Sequence, residues 1–94
     1  MWYVYLLLSL KNGSWYTGCT DNLKKRFQEH NTGKSRYTKS LMPWKLIYYE
    51  ACLNRKDGFR REKYLKSGYG RRWLKNRLKF QIDDVERKVV EIIK

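Results

Sequence analysis

Five side chains of this sequence are of types that cooperate in phosphodiester chemistry. They are Tyr5, Tyr16, Arg26, His30 and Glu62. Mg²⁺ prefers oxygen ligands and keeps several waters, so one carboxylate together with a substrate phosphate can hold it. Arginine offers a planar fork to phosphate oxygens, and tyrosine or histidine can move a proton. Together these groups are the parts of a metal-assisted phosphodiesterase.

The two tyrosines lie on segments that predict a β-hairpin. Residues 2–10 are rich in Tyr, Val and Leu, Asn12-Gly13 favours a tight turn, and residues 15–19 return as a second strand. A two-residue loop makes paired residue numbers sum to 25, a four-residue loop makes them sum to 23, and the sequence leaves both open. In either register Tyr5 and Tyr16 project from the same face, because side chains alternate along a strand.

The next segment predicts a helix that carries the arginine and the histidine. Thr20 or Asp21 can cap its start, and Gly33 suits the position just after its end. Arg26 precedes His30 by one helical turn, so the two polar heads can point to one place. A satisfied core histidine and a solvated arginine are the alternative interpretations.

The rest of the chain predicts one more strand and further helices. Residues 44–52 are β-branched and aromatic, which favours a strand. Asn54 or Asp57 can start a helix that is expected over about 57–66 and ends at Ser67-Gly68, and a further helix is expected over 71–80. A helical apolar stripe follows these elements to the end of the chain, formed by Ile82, Val85, Val89 and Ile92.

Glu62 has an unusual position on the predicted helix 57–66. Phe59, Glu62 and Leu65 recur at every third residue, so the carboxylate is expected in the middle of an apolar arc. An inward carboxylate is seldom left without a partner. A metal ion is one possible partner, and a salt bridge to Arg26 or Lys66 is the other.

Charge and composition favour a folded domain that binds nucleic acid. The 94 residues carry 22 Lys and Arg against 9 Asp and Glu, a net charge of +13. Hydrophobic residues at 41% and aromatics at 16% exclude a disordered basic tail. Cations interleaved with aromatic rings favour DNA, with RNA as an alternative, over a membrane. The predicted contact residues are Lys34, Arg36, Tyr37, Lys39, Arg61, Lys66, Arg71 and Arg72.

Several other functional classes are excluded by missing motifs. There is no phosphate-binding Gly-rich loop for a nucleotide cofactor, and one histidine without a G-x-S-x-G elbow disfavours a serine triad. Cys19 and Cys52 form neither a disulfide framework nor a zinc site, and we interpret them as buried, reduced thiols. The apolar amino-terminal stretch is too short for a membrane span, so a cytoplasmic location is expected.

Combined, the motifs resemble the GIY-YIG nuclease superfamily. Tyr3-Val4-Tyr5 is followed by Tyr16-Thr17-Gly18, and then by Arg26, His30 and Glu62. The chain is most similar to small stand-alone bacterial proteins of this superfamily, which resemble the nuclease domains of the UvrC excision-repair subunit and of a structure-specific nuclease. A segment typical of those small proteins is Arg61-Glu62-Lys63-Tyr64-Leu65-Lys66-Ser67-Gly68. The first tripeptide begins with tyrosine instead of glycine, and a cysteine follows Gly18 where the excision-repair relative has a lysine.

The resemblance implies an α+β fold with a three-stranded antiparallel sheet flanked by helices, in the order β-β-α-β-α-α. It covers residues 1–80 as one nuclease-like domain, and leaves residues 81–94 as a C-terminal helical extension. It also implies a DNA endonuclease that acts in repair or recombination.

The resemblance assigns a role to each candidate site residue. One Mg²⁺ or Mn²⁺ ion would be held at Glu62, with Tyr16 as general base and Arg26 stabilising the pentavalent phosphate. Tyr5 and His30 would complete the site. We expect a monomer whose specificity can come from a protein partner. The alternative function is a non-catalytic DNA- or RNA-binding module that retains the scaffold.

Overall fold

A computed structural model describes residues 1–93 of the chain, with side chains described through residue 91. Three strands and four α-helices make up the structure, together with one 3₁₀ turn at Lys39–Leu41. In chain order they are β1 (Trp2–Ser9), β2 (Trp15–Thr20), α1 (Leu23–Asn31), β3 (Trp44–Cys52), α2 (Arg55–Lys66), α3 (Gly68–Arg77) and α4 (Lys79–Ile93).

The sheet has the strand order β2-β1-β3, and both strand pairs are antiparallel. This arrangement confirms the predicted α+β class and the predicted order of elements. Tyr5 pairs with Gly18 and Leu7 with Tyr16, so paired numbers sum to 23 and the loop is the four-residue one. Gly13 adopts a φ of +78°, and its N–H donates to Ser9 O at 2.9 Å. A positive φ is readily accessible to glycine, which explains its place in the turn.

Each face of the sheet packs against different helices. One face contributes Tyr5, Leu7 and Trp44 to a cluster with α1. The other face packs against α2, α3 and α4 in a larger cluster of buried residues, Val4, Leu6, Leu8, Leu65, Leu74, Ile82, Val85 and Val89. Ile82, Val85 and Val89 of α4 therefore belong to the same core as β1. The side chain of Ile92 lies outside the described residues.

Asparagines cap the starts of two helices, α1 and α2, which differ in part from the predictions. Asn22, rather than Thr20 or Asp21, caps α1, and its side chain accepts from Lys25 N at 3.1 Å. Asn54, one of the two predicted starts of α2, caps it by accepting from Lys56 N at 2.8 Å, so α2 begins at Arg55 rather than at about 57. Asparagine is among the best N-caps because its carbonyl reaches the free N–H groups of the first turn.

The joint between α2 and α3 is sharper than predicted. Ser67 ends α2 and also caps α3, whose Gly70 N–H donates to its hydroxyl at 3.2 Å. The third helix therefore covers 68–77, and the prediction of 71–80 was wrong by one turn. A side chain at Gly70 would overlap the backbone carbonyl of Tyr64, so a glycine is required for this close approach.

Both cysteines are free thiols, but they are half-buried rather than buried as predicted. They flank Gly58 of α2, where a Cβ would lie 3.1 Å from Cys19 Sγ and 3.5 Å from Cys52 Sγ. The small residue lets α2 lie close to the sheet at this point. Within residues 1–93, no helix has the length and apolar character needed to cross a membrane.

Candidate active site

Tyr5 lies at the centre of the candidate site and is almost completely buried, with 1% of its surface exposed. Its ring extends from β1 across the paired glycine of β2. A Cβ at Gly18 would overlap the Tyr5 hydroxyl and lie 2.5 Å from its Cζ atom. Any side chain at Gly18 would therefore displace the Tyr5 ring.

A chain of hydrogen bonds leads from Tyr5 into the loop after α1. The Tyr5 hydroxyl is 2.9 Å from Nε2 of His30, and Nδ1 of His30 is 2.8 Å from the Thr38 hydroxyl. His30 and Thr38 are both fully buried. Burial, helped by the nearby charge of Arg26, lowers the pKa of His30 to about 4. His30 is therefore neutral at neutral pH.

The direction of these bonds follows from the protonation states. Burial is the main cause of a raised pKa at Tyr5, which therefore keeps its proton and donates to His30 Nε2. A neutral imidazole has one donor and one acceptor, so Nδ1–H donates to Thr38. The Thr38 hydroxyl donates in turn to the Ser35 carbonyl at 3.5 Å. Sequence reasoning did not identify Thr38, because no motif marks this position.

Tyr16 lies beside this chain on the same face of the sheet and is half-buried. Its ring centroid is 4.6 Å from that of His30 and 6.3 Å from those of Tyr5 and Trp44. The ring is thus packed on three sides. Tyr16 is also more accessible to solvent than Tyr5.

Arg26 approaches the two phenols from α1, one turn before His30. Nη1 donates to Glu29 Oε1 at 3.3 Å, and Nη2 donates to the Ser35 hydroxyl at 3.5 Å. Burial acts to lower the pKa of Arg26, but the bond to Glu29 and the proximity of Tyr5 and Tyr16 raise it on balance. The guanidinium is therefore charged, and with 34% of its side chain exposed it can reach a ligand from solvent.

Glu62 approaches from α2, on the sheet face opposite to α1. Only 17% of its side chain is exposed, and its carboxylate pairs with Lys66 Nζ at 2.9 Å. This ion pair is one of the partners expected from the sequence. Phe59 is 41% exposed, so the apolar arc around Glu62 is less complete than predicted.

The charge of Glu62 is felt at the β2 edge of the sheet. Burial is the main cause of the raised pKa of Cys19, and the charge of Glu62 is the second cause. The same charge also contributes to the raised pKa of Tyr5. Tyr5, Tyr16, Arg26 and His30 are brought together on one face, whereas Glu62 stands on the helix that packs against the other face. Convergence of all five around one ion stays a prediction.

The donor set at this edge fits one hard divalent ion. Within the described part of the chain, no group of three His, Cys, Asp or Glu side chains forms a metal cage. Mg²⁺ needs no such cage, since it keeps several waters and binds through one or two carboxylates plus phosphate oxygens. Lys66 is 54% exposed and can leave Glu62 when a cation binds.

The loop after α1 displays the first group of predicted DNA contacts. Its buried residues, Ser35 and Thr38, bind Arg26 and His30 and so anchor the loop to the site. The exposed residues of the same loop are the predicted contacts Lys34, Arg36, Tyr37 and Lys39. The loop thus projects cations and one aromatic ring into solvent next to the site.

The second group of predicted contacts lies on α2 and α3 and is partly engaged within the protein. Arg61 donates to Glu50 at 2.6 and 3.3 Å and lies 4.6 Å from the ring of Trp73. Its fork is therefore occupied, and Lys66 is paired with Glu62. Arg71 lies 4.2 Å from the ring of Trp15, and both Arg71 and Arg72 are exposed. Arg71 and Arg72 are the better candidates for phosphate contacts.

Comparison with known proteins identifies the family of the chain. A family model described as the GIY-YIG catalytic domain matches residues 1–79. A UPF0213 protein of Clostridium perfringens is 45% identical over 65 residues, which cover 68% of this chain and 69% of that protein. No solved structure matches the chain.

Two further relatives are also UPF0213 proteins. The one from Desulfotalea psychrophila is 39% identical over 67 residues, covering 69% of this chain and 60% of the relative. YazA of Bacillus subtilis is 36% identical over 63 residues, covering 66% and 64%. In these two cases the match spans less than two thirds of the relative's own length.

Proposed function

Because the chain belongs to the GIY-YIG catalytic-domain family, a nuclease-type family, we propose that it is a divalent-metal-dependent endonuclease that hydrolyses phosphodiester bonds of DNA. The observation that carries the proposal is the placement of Tyr16 and Arg26 against the buried chain from Tyr5 through His30 to Thr38. A base, a cation for phosphate and a rigid support are thereby provided within one site.

Tyr16 is the residue that orients and deprotonates the attacking water in this proposal. A free phenol has a pKa near 10, so it needs a nearby cation to act as a base at neutral pH. The positively charged Arg26 lies next to Tyr16. The packing of the Tyr16 ring against His30 and Trp44 fixes the direction of its oxygen.

Arg26 is the residue that binds the non-bridging phosphate oxygens. Its planar fork matches two such oxygens, and charge accumulates on them as the bond to the attacking water forms. The contacts to Glu29 and Ser35 hold the guanidinium in place before the substrate arrives. This preorganisation lowers the cost of charge stabilisation in the transition state.

Tyr5 and His30 act as neutral groups that position the site. Tyr5 keeps its proton because burial raises its pKa, and His30 is neutral because burial lowers its pKa. The chain to Thr38 holds the Tyr5 and His30 rings in place beside Tyr16, and the proton taken up by Tyr16 would leave to solvent. It also ties the strand to the basic loop.

Glu62 is the residue that would hold the metal ion. When bound, Mg²⁺ or Mn²⁺ would polarise the scissile phosphate and neutralise part of its charge. Lys66 would release the carboxylate and turn to solvent. We further propose a cytoplasmic monomer that acts in DNA repair or recombination, with a protein partner supplying substrate choice.

Removal of divalent metal is expected to abolish cleavage of DNA. Supercoiled plasmid incubated with the protein and Mg²⁺ or Mn²⁺ should be nicked, and the same mixture with excess EDTA should stay supercoiled. The assay is read on agarose gels, with plasmid and metal alone as the control. If the protein retards plasmid on gels but leaves it supercoiled in every metal, the non-catalytic binding module is the better description.

Acid is expected to destabilise the fold through His30. Its pKa is 6.5 in an unfolded chain and about 4 in the folded protein, so only the unfolded chain binds a proton between these values. The free energy of unfolding should therefore fall as pH is lowered from 6.5 to 4. The expected loss at pH 4.5 is roughly 2 to 3 kcal/mol, measured by urea denaturation.

An NMR titration provides an independent check. His30 is the single histidine of the sequence, so its imidazole signals are unambiguous. They should stay at the neutral position down to about pH 4. A midpoint between 6 and 7 would show that the imidazole is open to solvent and would contradict the proposed neutral support.

A further inference from the structure

A cleft of about 530 Å³ opens beside the candidate active site, between the start of α1 and the outer ends of β1 and β3. This volume falls within the range of about 300 to 1,000 Å³ that is typical of small-ligand pockets. Its walls include Tyr3, Leu23, Phe27 and Tyr49. The mechanism proposed above uses none of these side chains.

The walls suit a flat aromatic ring. Tyr3 and Tyr49 lie 6.1 Å apart with their rings inclined at 64°, and Phe27 contributes a third ring from α1. Tyr49 is 54% exposed although it stands on a strand, so much of its ring is available for contact. Stacking on such rings accepts any base, because every base has a π-face.

The rim of the cleft carries one acid and one cation. Asp21 and Lys24 line it, and both are exposed. Among the described residues, no hydrogen-bond partner holds the Asp21 carboxylate. A carboxylate accepts hydrogen bonds from amino groups on base edges, and a lysine attracts the phosphate that follows a base. Both charges are complementary to a nucleotide, whereas an apolar peptide would leave them uncompensated.

The cleft adjoins the site that binds phosphate in the proposed function, since Asp21 and Asn22 line both the cleft and a smaller pocket that includes Arg26. Tyr3 precedes Tyr5 by two residues in β1 and projects from the same face. Leu23 of the cleft precedes Arg26 by three residues on α1, or about 5 Å along the helix axis. A strand with one phosphate at Arg26 therefore has its neighbouring nucleotide at the mouth of the cleft.

We propose that the cleft accepts one nucleobase of the bound strand, turned out of its stack and placed between Tyr49 and Phe27. The proposal rests on the proposed function, because the strand must lie at Arg26. Bases with an amino group on their edge would be favoured by Asp21. The cleft would thus fix which nucleotide lies next to the phosphate that is cut.

The test is a binding measurement without cleavage. Fluorescence anisotropy in EDTA is recorded with a labelled single-stranded oligonucleotide, and with an abasic oligonucleotide of the same length and charge. Tyr49→Ala should weaken binding of the first about 5- to 160-fold, the equivalent of 1 to 3 kcal/mol per stacked base. It should leave binding of the abasic oligonucleotide unchanged.

Two further variants serve as controls. Tyr49→Phe keeps the ring and should bind both oligonucleotides like the parent. Tyr69→Ala removes a tyrosine that is 76% exposed on α3 and should also change neither affinity. Melting curves establish that each variant is folded.

The outcomes separate this inference from the proposed function. If Tyr49→Ala weakens both oligonucleotides equally, or neither, the cleft holds no base and belongs to another occupant, such as an apolar protein segment. Plasmid nicking by the parent would still support the endonuclease in that case. If the parent binds no oligonucleotide and cuts no DNA, both proposals fail.

Discussion

Tyr16→Phe is expected to lower the rate of DNA cleavage about 10²- to 10⁴-fold, the usual contribution of a general base. The substitution removes one oxygen and keeps the ring that packs against His30 and Trp44. The melting temperature should therefore change little. Because the phenol acts on water rather than on substrate binding, the affinity for DNA in EDTA should equal that of the parent.

The measurement is the initial rate of plasmid nicking at saturating Mg²⁺. Tyr69→Phe is the matched control, since it removes a hydroxyl from an exposed tyrosine on the far side of the sheet. Nicking by Tyr16→Phe at the parental rate would exclude this phenol as the base. Tyr5 would not replace it readily, because its hydroxyl is buried and bound to His30.

Arg26→Ala is expected to lower the cleavage rate by about 10³-fold, as found when a preorganised donor to developing negative charge is removed. The fold should tolerate the change, because the lost ion pair with Glu29 is partly exposed and contributes at most about 1 kcal/mol. Arg26→Lys should recover only part of the rate, since a lysine keeps the charge but not the planar fork.

Lys25→Ala is the control for this prediction. It removes an exposed cation from the position just before Arg26 on the same helix. It lowers the net charge by the same amount as Arg26→Ala. Equal losses in Arg26→Ala and Lys25→Ala would mean that both act only through long-range attraction of DNA. That outcome would remove Arg26 from the reaction centre. The decisive number is the ratio of the two rates at one salt concentration.

The sequence predicted the sheet well because its signals are local. Asn12-Gly13 marks the turn, and the alternation of side chains places Tyr5 and Tyr16 on one face in both of the predicted registers. The choice between two loop lengths could not be made from the sequence. It depends on Ser9, whose hydroxyl accepts from the N–H groups of Lys11 and Asn12 at 3.1 and 3.2 Å inside the loop.

The helix boundaries were harder to predict because several residues nearby could act as caps. Near α1, Thr20, Asp21 and Asn22 can all accept from a free N–H, and the selection of Asn22 depends on where β2 ends. The start of α3 depends on Ser67 bonding in two directions at once. The position of this helix start is decided by how the two helices pack against each other. A short segment of sequence carries no information about that packing.

The sequence predicted which elements carry the candidate residues, but not which side chains contact them. Arg26 and His30 are one turn apart, so their proximity follows from helix geometry alone. Thr38 and Ser35 meet them from a loop, and no periodicity places a loop residue. Arg61 is a different case. It was predicted to contact DNA, but its side chain is held by Glu50 of β3.

The helices α1 and α2 lie on opposite faces of the sheet. The sheet therefore lies between the two groups of residues that would form the proposed centre. Residues 1–52 hold the phenols and the guanidinium, while the carboxylate comes after them in the chain. A growing polypeptide therefore has no complete set of reactive groups until its second half has folded onto the first. Under the proposed function, the chain would therefore be unable to cut DNA until both parts have folded together.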